Sequence, residues 1–244
     1  MLTFYQTQVE RLLQNPLASP NLYALSDLTA YINTARGQLA LETGCVRALI
    51  PLSTVNGTQQ YPLINLTPAP SGFGPIVNVQ SAYYAPAGTG NVYLNPRLWT
   101  FFETFFLCQA PAPVGNPTDW TQYSTGETGI IFLYPTPNSV FQIYLDAMCT
   151  PAALTTDASI DAIPYPYSDA VPYFAAYLAY LSAQRTEDAN SMLEKYNEFV
   201  ARAVAGSGPR MPGILYPSVR DSAPMQRQFQ PQAQPERGKR GQRQ

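Results

Sequence analysis

The chain has 244 residues, 45% of them hydrophobic but only 12% charged, with a net charge of -2 and no histidine. That length suits one large domain or one domain with an insertion, and a charged share about half the usual ~25% points to a surface that faces other protein, or else to a polar, uncharged one. The lack of histidine removes Ser-His-Asp and Cys-His nucleophile systems and most transition-metal sites, leaving only carboxylate or lysine chemistry.

In chain order, Thr3 to Gln14 reads as a short amphipathic helix with Phe4, Val9, Leu12 and Leu13 as its apolar positions and Pro16 as its stop. A second helix is expected from Ser26, its N-cap, through Leu28, Tyr31, Ile32, Ala35, Leu39, Cys45, Val46 and Leu49, to a stop at Pro51. From about residue 53 to 150 the period changes. Thr58 to Leu66 and Gly74 to Tyr84 read as short strands, with Asn56-Gly57 as a turn. Leu98 to Cys108 fits either a helix face or a buried strand. Trp120 to Tyr123, Gly129 to Tyr134 and Val140 to Met148 read as three antiparallel strands, the last two joined by the turn Pro135 to Ser139.

Helices return after the extended Pro164-Tyr165-Pro166-Tyr167. Ser168 or Asp169 should cap a helix running to about Gln184, with Ala170, Phe174, Tyr177, Leu178 and Leu181 as its broad apolar face and Ala175, Ala176, Ala179 and Ala183 slimming the others. A break at Arg185-Thr186 opens a last helix, Glu187 to Ala205, striped by Met192, Leu193, Tyr196, Phe199, Val200 and Val204 and closed by Gly206. The two form an antiparallel hairpin. Beyond Gly208 the chain is rich in Pro, Gln and Arg and cannot bury enough surface to fold alone.

The expected fold class is therefore α+β: a helical bundle, made of N-terminal helices (1–52) and a C-terminal helical hairpin (151–207), with a β-rich insertion (53–150) and an extended basic C-terminal arm (208–244). Charge follows the same division. Residues 1–209 hold seven basic and fourteen acidic residues, net -7, whereas residues 210–244 hold seven basic residues against Asp221 and Glu236, net +5.

Reactive constellations are scarce. Cys45, Cys108 and Cys149 lack CxxC spacing and read as buried free thiols. Gly88-Thr89-Gly90 is a lone GxG, better read as a turn than as a nucleotide loop. Glu187, Asp188, Glu194 and Glu198, with Asp157, Asp161 and Asp169 just before the hairpin, suit a solvated helix face, where Glu198 and Arg202 form a favourable i,i+4 pair; Asp157 and Asp161 could bind a cation, but their spacing lacks a calcium-loop signature. No catalytic residue, cofactor or metal is expected. No apolar run is long enough to cross a membrane, and Met1 to Phe4 lack the basic-then-apolar order of a signal peptide.

The stretches Pro117 to Tyr123 and Gly129 to Pro137, and the helices Asp169 to Leu181 and Asp188 to Val200, resemble the head-to-tail connector, or adaptor, proteins of tailed bacteriophages, especially short-tailed ones. The resemblance spans about residues 20 to 205. It implies a non-enzymatic virion protein at the neck, assembled in the host cytoplasm, that forms a ring, commonly of twelve copies, between the portal and a tail or nozzle protein. Genomic DNA would pass through its channel without sequence-specific binding. The resemblance also implies that the arm docks on the portal, through the anchors Met211, Ile214, Leu215, Tyr216, Val219 and Phe229 and the basic residues Arg210, Arg220, Arg227, Arg237, Lys239, Arg240 and Arg243. Subunits would pack through Tyr173, Phe174, Tyr177, Leu178, Leu181, Tyr196 and Phe199. The alternatives are another virion structural protein, such as a tail-tube ring or decoration protein, or a muralytic hydrolase built on two carboxylates.

Overall fold

The computed structural model describes residues 1–14, 23–66, 68, 71–85 and 90–206; Pro16, the Gly88-Thr89 turn and the whole arm from Arg210 to Gln244 lie outside them. In chain order the elements are α1 (Leu2–Leu13), α2 (Leu25–Thr43), β1 (Arg47–Ser53), β2 (Gln60–Pro62), β3 (Phe73–Tyr84), β4 (Val92–Tyr93), β5 (Asn95–Pro96), α3 (Trp99–Phe102), β6 (Val114–Gly115), β7 (Asp119–Tyr123), β8 (Ile130–Tyr134), β9 (Thr136–Pro137), β10 (Gln142–Pro151), α4 (Val171–Ser182) and α5 (Thr186–Gly206). The ten strands among the described residues all lie between α2 and α4, so the architecture is α+β, a helical bundle with a β-rich insertion.

The hub of the bundle is α4, which packs against α1, α2 and α5. Its inward face is the reverse of the one its sequence suggests. Ala175, Ala176 and Ala179 are fully buried, whereas Phe174, Tyr177 and Leu178 are half-buried and Leu181 is exposed. Three helices converge on α4, where methyl side chains permit close approach and Val171 and Tyr180 are buried beside them. The first helix shows a similar shift: Leu2, Tyr5, Val9 and Leu13 face the core and Phe4 faces solvent. No side chain caps α4; a single 3-10 turn, Tyr167–Ala170, feeds directly into it.

The second helix is shorter than its apolar spacing suggests. It starts after Ala24, without a Ser26 cap, and ends at Gly44, whose φ of 61° is a left-handed C-cap that glycine adopts without strain. Cys45, Val46 and Leu49 therefore leave the helix, and Pro51 sits within β1 instead of ending α2. Ala48, Ile50 and Leu52 alternate inward from β1 while Leu49 is exposed, a period of two that the helical reading absorbed by accident.

The strands form two four-stranded sheets, in the orders β1-β10-β3-β4 and β2-β8-β7-β5, plus the short parallel pair β6-β9. Thus β7 and β8 pair antiparallel as their sequence suggests, but β10 does not join them. It lies in the other sheet, between β1 and β3, because Pro135 to Ser139 is a crossover and not a hairpin turn; it contains β9, which pairs with β6. Within 58–66 only Gln60–Pro62 is a strand, followed by a 3-10 turn. The inner faces of both sheets supply one core with the helices: Ile50, Ile143, Leu145 and Ala147 from the first, Trp120, Ile131 and Leu133 from the second.

The register of β1 shows where its unused groups point. Thr54 N–H donates to the Phe141 carbonyl and Cys149 N–H to the Val46 carbonyl, so the even-numbered residues of β1 bond to β10. Pro51 is odd, and the N–H it lacks would have pointed to the open edge of the sheet.

Candidate interaction surfaces

The polar heart of the bundle is a clamp around Arg36, which is 0% exposed. Its Nη2 donates to Asp161 Oδ1 at 2.7 Å and its Nη1 to the Ala152 carbonyl at 2.8 Å. Asn33, one helical turn earlier, donates to the Leu154 carbonyl at 3.1 Å and accepts from the Leu154 N–H at 2.8 Å. The Tyr5 hydroxyl of α1 completes the clamp by donating to Asp161 Oδ2 at 2.6 Å. Burial, followed by this bond to a carboxylate, pushes the Tyr5 hydroxyl well above the usual phenol range. The clamp therefore ties α1, α2 and the loop after β10 together. Asp161, which sequence reading leaves as a possible cation ligand, is consumed by it.

Two of the other acids singled out from sequence, Asp188 and Glu198, are paired as well. Glu198 pairs with Lys195 and Arg202, and Asp188 with Arg185. Among the described residues, no three His, Cys, Asp or Glu side chains group to hold a metal ion, and no helix is long and apolar enough to cross a membrane. A shallow depression of about 100 Å³, lined by Leu63, Ile64, Leu66, Pro75, Ile76 and Glu127, has a single acid on its wall.

The residues expected to pack subunits fall into two groups. Tyr196 is 1% exposed and donates to Glu42 Oε2 at 2.5 Å, so its ring and hydroxyl are used inside its own chain. Tyr173 stacks on Phe199 at 4.8 Å, and Phe174 lies 4.9 Å from Tyr196. These rings seal the α4–α5 seam and, with Tyr177, Leu178 and Leu181, keep part of their surface toward solvent.

Two further apolar surfaces emerge only in three dimensions. The first is a knob on the outer side of the β2-β8-β7-β5 sheet. There α3 continues through Glu103–Leu107 as a wider π-type turn, which settles the ambiguity of Leu98 to Cys108 in favour of a helix. Its inner side is fixed by rings: Trp99 lies 4.9 Å from Phe132, Phe102 is fully buried, and Phe106 stacks on Tyr134 at 3.8 Å and 3°. Its outer side is apolar too. Leu98 is 79% exposed and Phe105 56%, with Phe101 beside them. Arg97 lies 5.4 Å from the centre of the Phe101 ring and is held by Asp119 at 2.6 Å. Cys108, at the end of the knob, is exposed and not buried as its apolar neighbours suggest; Cys149 alone of the three thiols is fully buried, which pushes it up to about 11.

The second surface is a ladder of rings on the outer face of the β1-β10-β3-β4 sheet. Register places Pro51, Tyr144, Tyr83 and Tyr93 side by side across its four strands. The Tyr83 ring lies 5.4 Å from both Tyr144 and Tyr93. Beside them sit Leu49 and the ion pair of Arg47 with Asp146. An antiparallel sheet with one face on the core normally turns polar side chains to water on the other; this one turns tyrosines. The alternation within β3 and β10 was readable from sequence, but the row of rings depended on a strand pairing that sequence did not reveal.

The model of the SU10 adaptor protein family matches residues 4–215, that is, nearly all of the two sheets and the bundle just described. The chain belongs to the SU10 adaptor protein family. No curated protein matches it. As an SU10 adaptor it is a phage structural protein of the virion, in a family that is structural and not enzymatic. Of the arm, Arg210 to Leu215 fall inside the matched range, whereas Tyr216 and the residues after it lie beyond.

Proposed function

We propose that this SU10 adaptor forms a ring, most simply of twelve copies, that joins the portal to a tail or nozzle protein at the neck of the virion and lines the channel through which the genome leaves. The observation that carries the reading is the family match over residues 4–215. The chemistry agrees with it. A ring subunit needs lateral faces for its neighbours and axial faces for portal and tail, and this chain combines few charges with 17 tyrosines, a side chain suited to interfaces. The body's net charge of -7 suits a channel wall, because acids facing the lumen repel a DNA backbone and let it slide. The arm, with its net +5 and its scattered apolar anchors, suits docking along the portal.

The test is a mass measurement of the purified protein with and without portal, on the full chain and on a variant lacking residues 210–244. The full chain should add as a fixed multiple to the portal. The truncated body should melt at the same temperature yet fail to attach. Normal attachment of the truncated protein would remove the arm from the proposal.

A further inference from the structure

We infer that the tyrosine ladder is the seat of the arm's proline–arginine segment: Pro217 to Arg227 lies across Tyr144, Tyr83 and Tyr93. The inference goes beyond the ring reading and does not rest on it. The apolar anchors before this segment and the basic cluster after it stay available to the portal.

Spacing selects the occupant. Register sets Tyr144, Tyr83 and Tyr93 in one row across three strands, and strands lie about 4.8 Å apart, so the outer two rings stand about 9–10 Å from each other. A polyproline II strand has three residues per turn and rises about 3.1 Å per residue, so its positions i and i+3 share one side about 9 Å apart. Laid across the sheet, such a strand keeps step with the two outer rings. The arm is written for that step. Pro217-Ser218-Val219-Arg220 and Pro224-Met225-Gln226-Arg227 each set an arginine three residues after a proline, and proline-rich sequence favours this conformation. A proline followed three residues later by arginine occurs nowhere else in the chain.

Chemistry selects the same segment. Rows of aromatic rings receive proline rings by flat apolar contact and guanidinium groups by stacking and cation–π attraction. The body of a second copy has no such group to give. Its Arg36, Arg47, Arg97, Arg185 and Arg202 are held by carboxylates, and Arg11 has no proline three residues before it. Because Arg47 and Asp146 cancel beside the ladder, the face neither repels nor selects by formal charge, and the ring faces themselves supply the attraction for arginine. Over longer range the body's net -7 draws the arm's net +5. Residues 207–216 form a tether of up to about 35 Å, roughly twice the radius of gyration expected of a body of this size.

The probe is a fluorescent peptide of residues 214–230. Its host is the full chain carrying Arg220→Glu and Arg227→Glu, whose own arm leaves the ladder open. The peptide should bind this host. Replacing both of its arginines by alanine should weaken binding about four- to twenty-fivefold, the loss of two cation–π contacts. Exchanging Arg220 with Val219 and Arg227 with Gln226 keeps the composition, breaks the three-residue step, and should weaken it as much. In the host, Tyr93→Thr should cost about two- to fivefold, and Phe105→Glu, on the other sheet, nothing. Circular dichroism checks that both variants fold, and the peptide series decides if Tyr93→Thr does not. Equal binding of the native and exchanged peptides overturns the seat, and so does binding that ignores Tyr93→Thr in a folded host. Absence of peptide binding, with assembly of copies that depends on Tyr93, assigns the ladder to a second body and overturns the proposal. Attachment to portal that depends on Tyr93, without peptide binding, assigns it to the portal and does the same. Ring formation is read separately, by mass, so that reading stands or falls on its own.

Discussion

The helical bundle and the sheets of this adaptor solve the problem of register by different means. In the bundle, α4 meets its neighbours through Ala175, Ala176 and Ala179. Such a face packs closely but has little shape to tell one helical offset from another. The Arg36–Asp161–Tyr5–Asn33 clamp supplies the missing information, since buried donors and acceptors tolerate only the arrangement that pairs them all. The sheets need no such key. Their hydrogen-bond ladders fix the offset, a slip of one residue would turn every inward Ile and Leu outward, and the ion pairs Arg47–Asp146 and Arg97–Asp119 sit on outer faces. Among the described residues the most deeply buried ion pair, Arg36 with Asp161, lies where geometry alone is least informative.

The largest expected effect tests the clamp. Arg36→Ala should cost about 3–5 kcal/mol in urea unfolding, because Asp161 is left buried without its counterion. The double variant Arg36→Met, Asp161→Leu should recover much of that loss. A cost of only a few tenths for the single variant would dissolve the contrast between the two regions. Next, Ala176→Leu should cost about 1–3 kcal/mol by overpacking the alanine face, where the reading from sequence alone would place it harmlessly on a secondary face. In the sheet, Arg47→Ala should cost less than about 1 kcal/mol, as an exposed pair does.

The last expectation is a direction with pH. Burial raises the Tyr5 and Tyr196 hydroxyls and takes the Cys149 thiol to about 11. The unfolded chain ionises first, at about 8.5 for Cys and 10 for Tyr, so each group's stabilisation is complete below its unfolded value and is lost as pH rises through the raised one. Alkaline melts should therefore decline in two stages. Cys149→Ala should blunt the earlier, on the sheet side, and Tyr5→Phe the later, in the bundle. A flat stability profile from pH 8 to 11 would contradict both burials.

Much of the fold was legible in the sequence. Prolines, the Asn56-Gly57 turn and changes of apolar period marked the bundle, the insertion and the hairpin. The failures have physical causes. The α2 pattern ran on into β1 because apolar residues three or four apart recur by chance, and the left-handed cap at Gly44 outweighed them. The inward face of α4 was missed because hydrophobicity ranks Phe and Tyr above Ala, whereas crowding ranks them the other way. The candidate surfaces were less legible still. Of the hairpin residues, Tyr196 proved internal, and the ladder depends on pairing between strands sixty residues apart in the chain, Tyr83 with Tyr144, which no local pattern encodes.

Pro51 has a consequence for a protein that works in crowded company. Strand β1 ends its sheet, and a bare strand edge invites a second molecule to extend it by backbone pairing, the route to runaway fibres. Pro51 occupies one of the odd-numbered positions of β1 where proline removes an edge-facing donor without breaking the native ladder, and there that route is hindered. Growth strand upon strand from this edge is thereby denied part of its template.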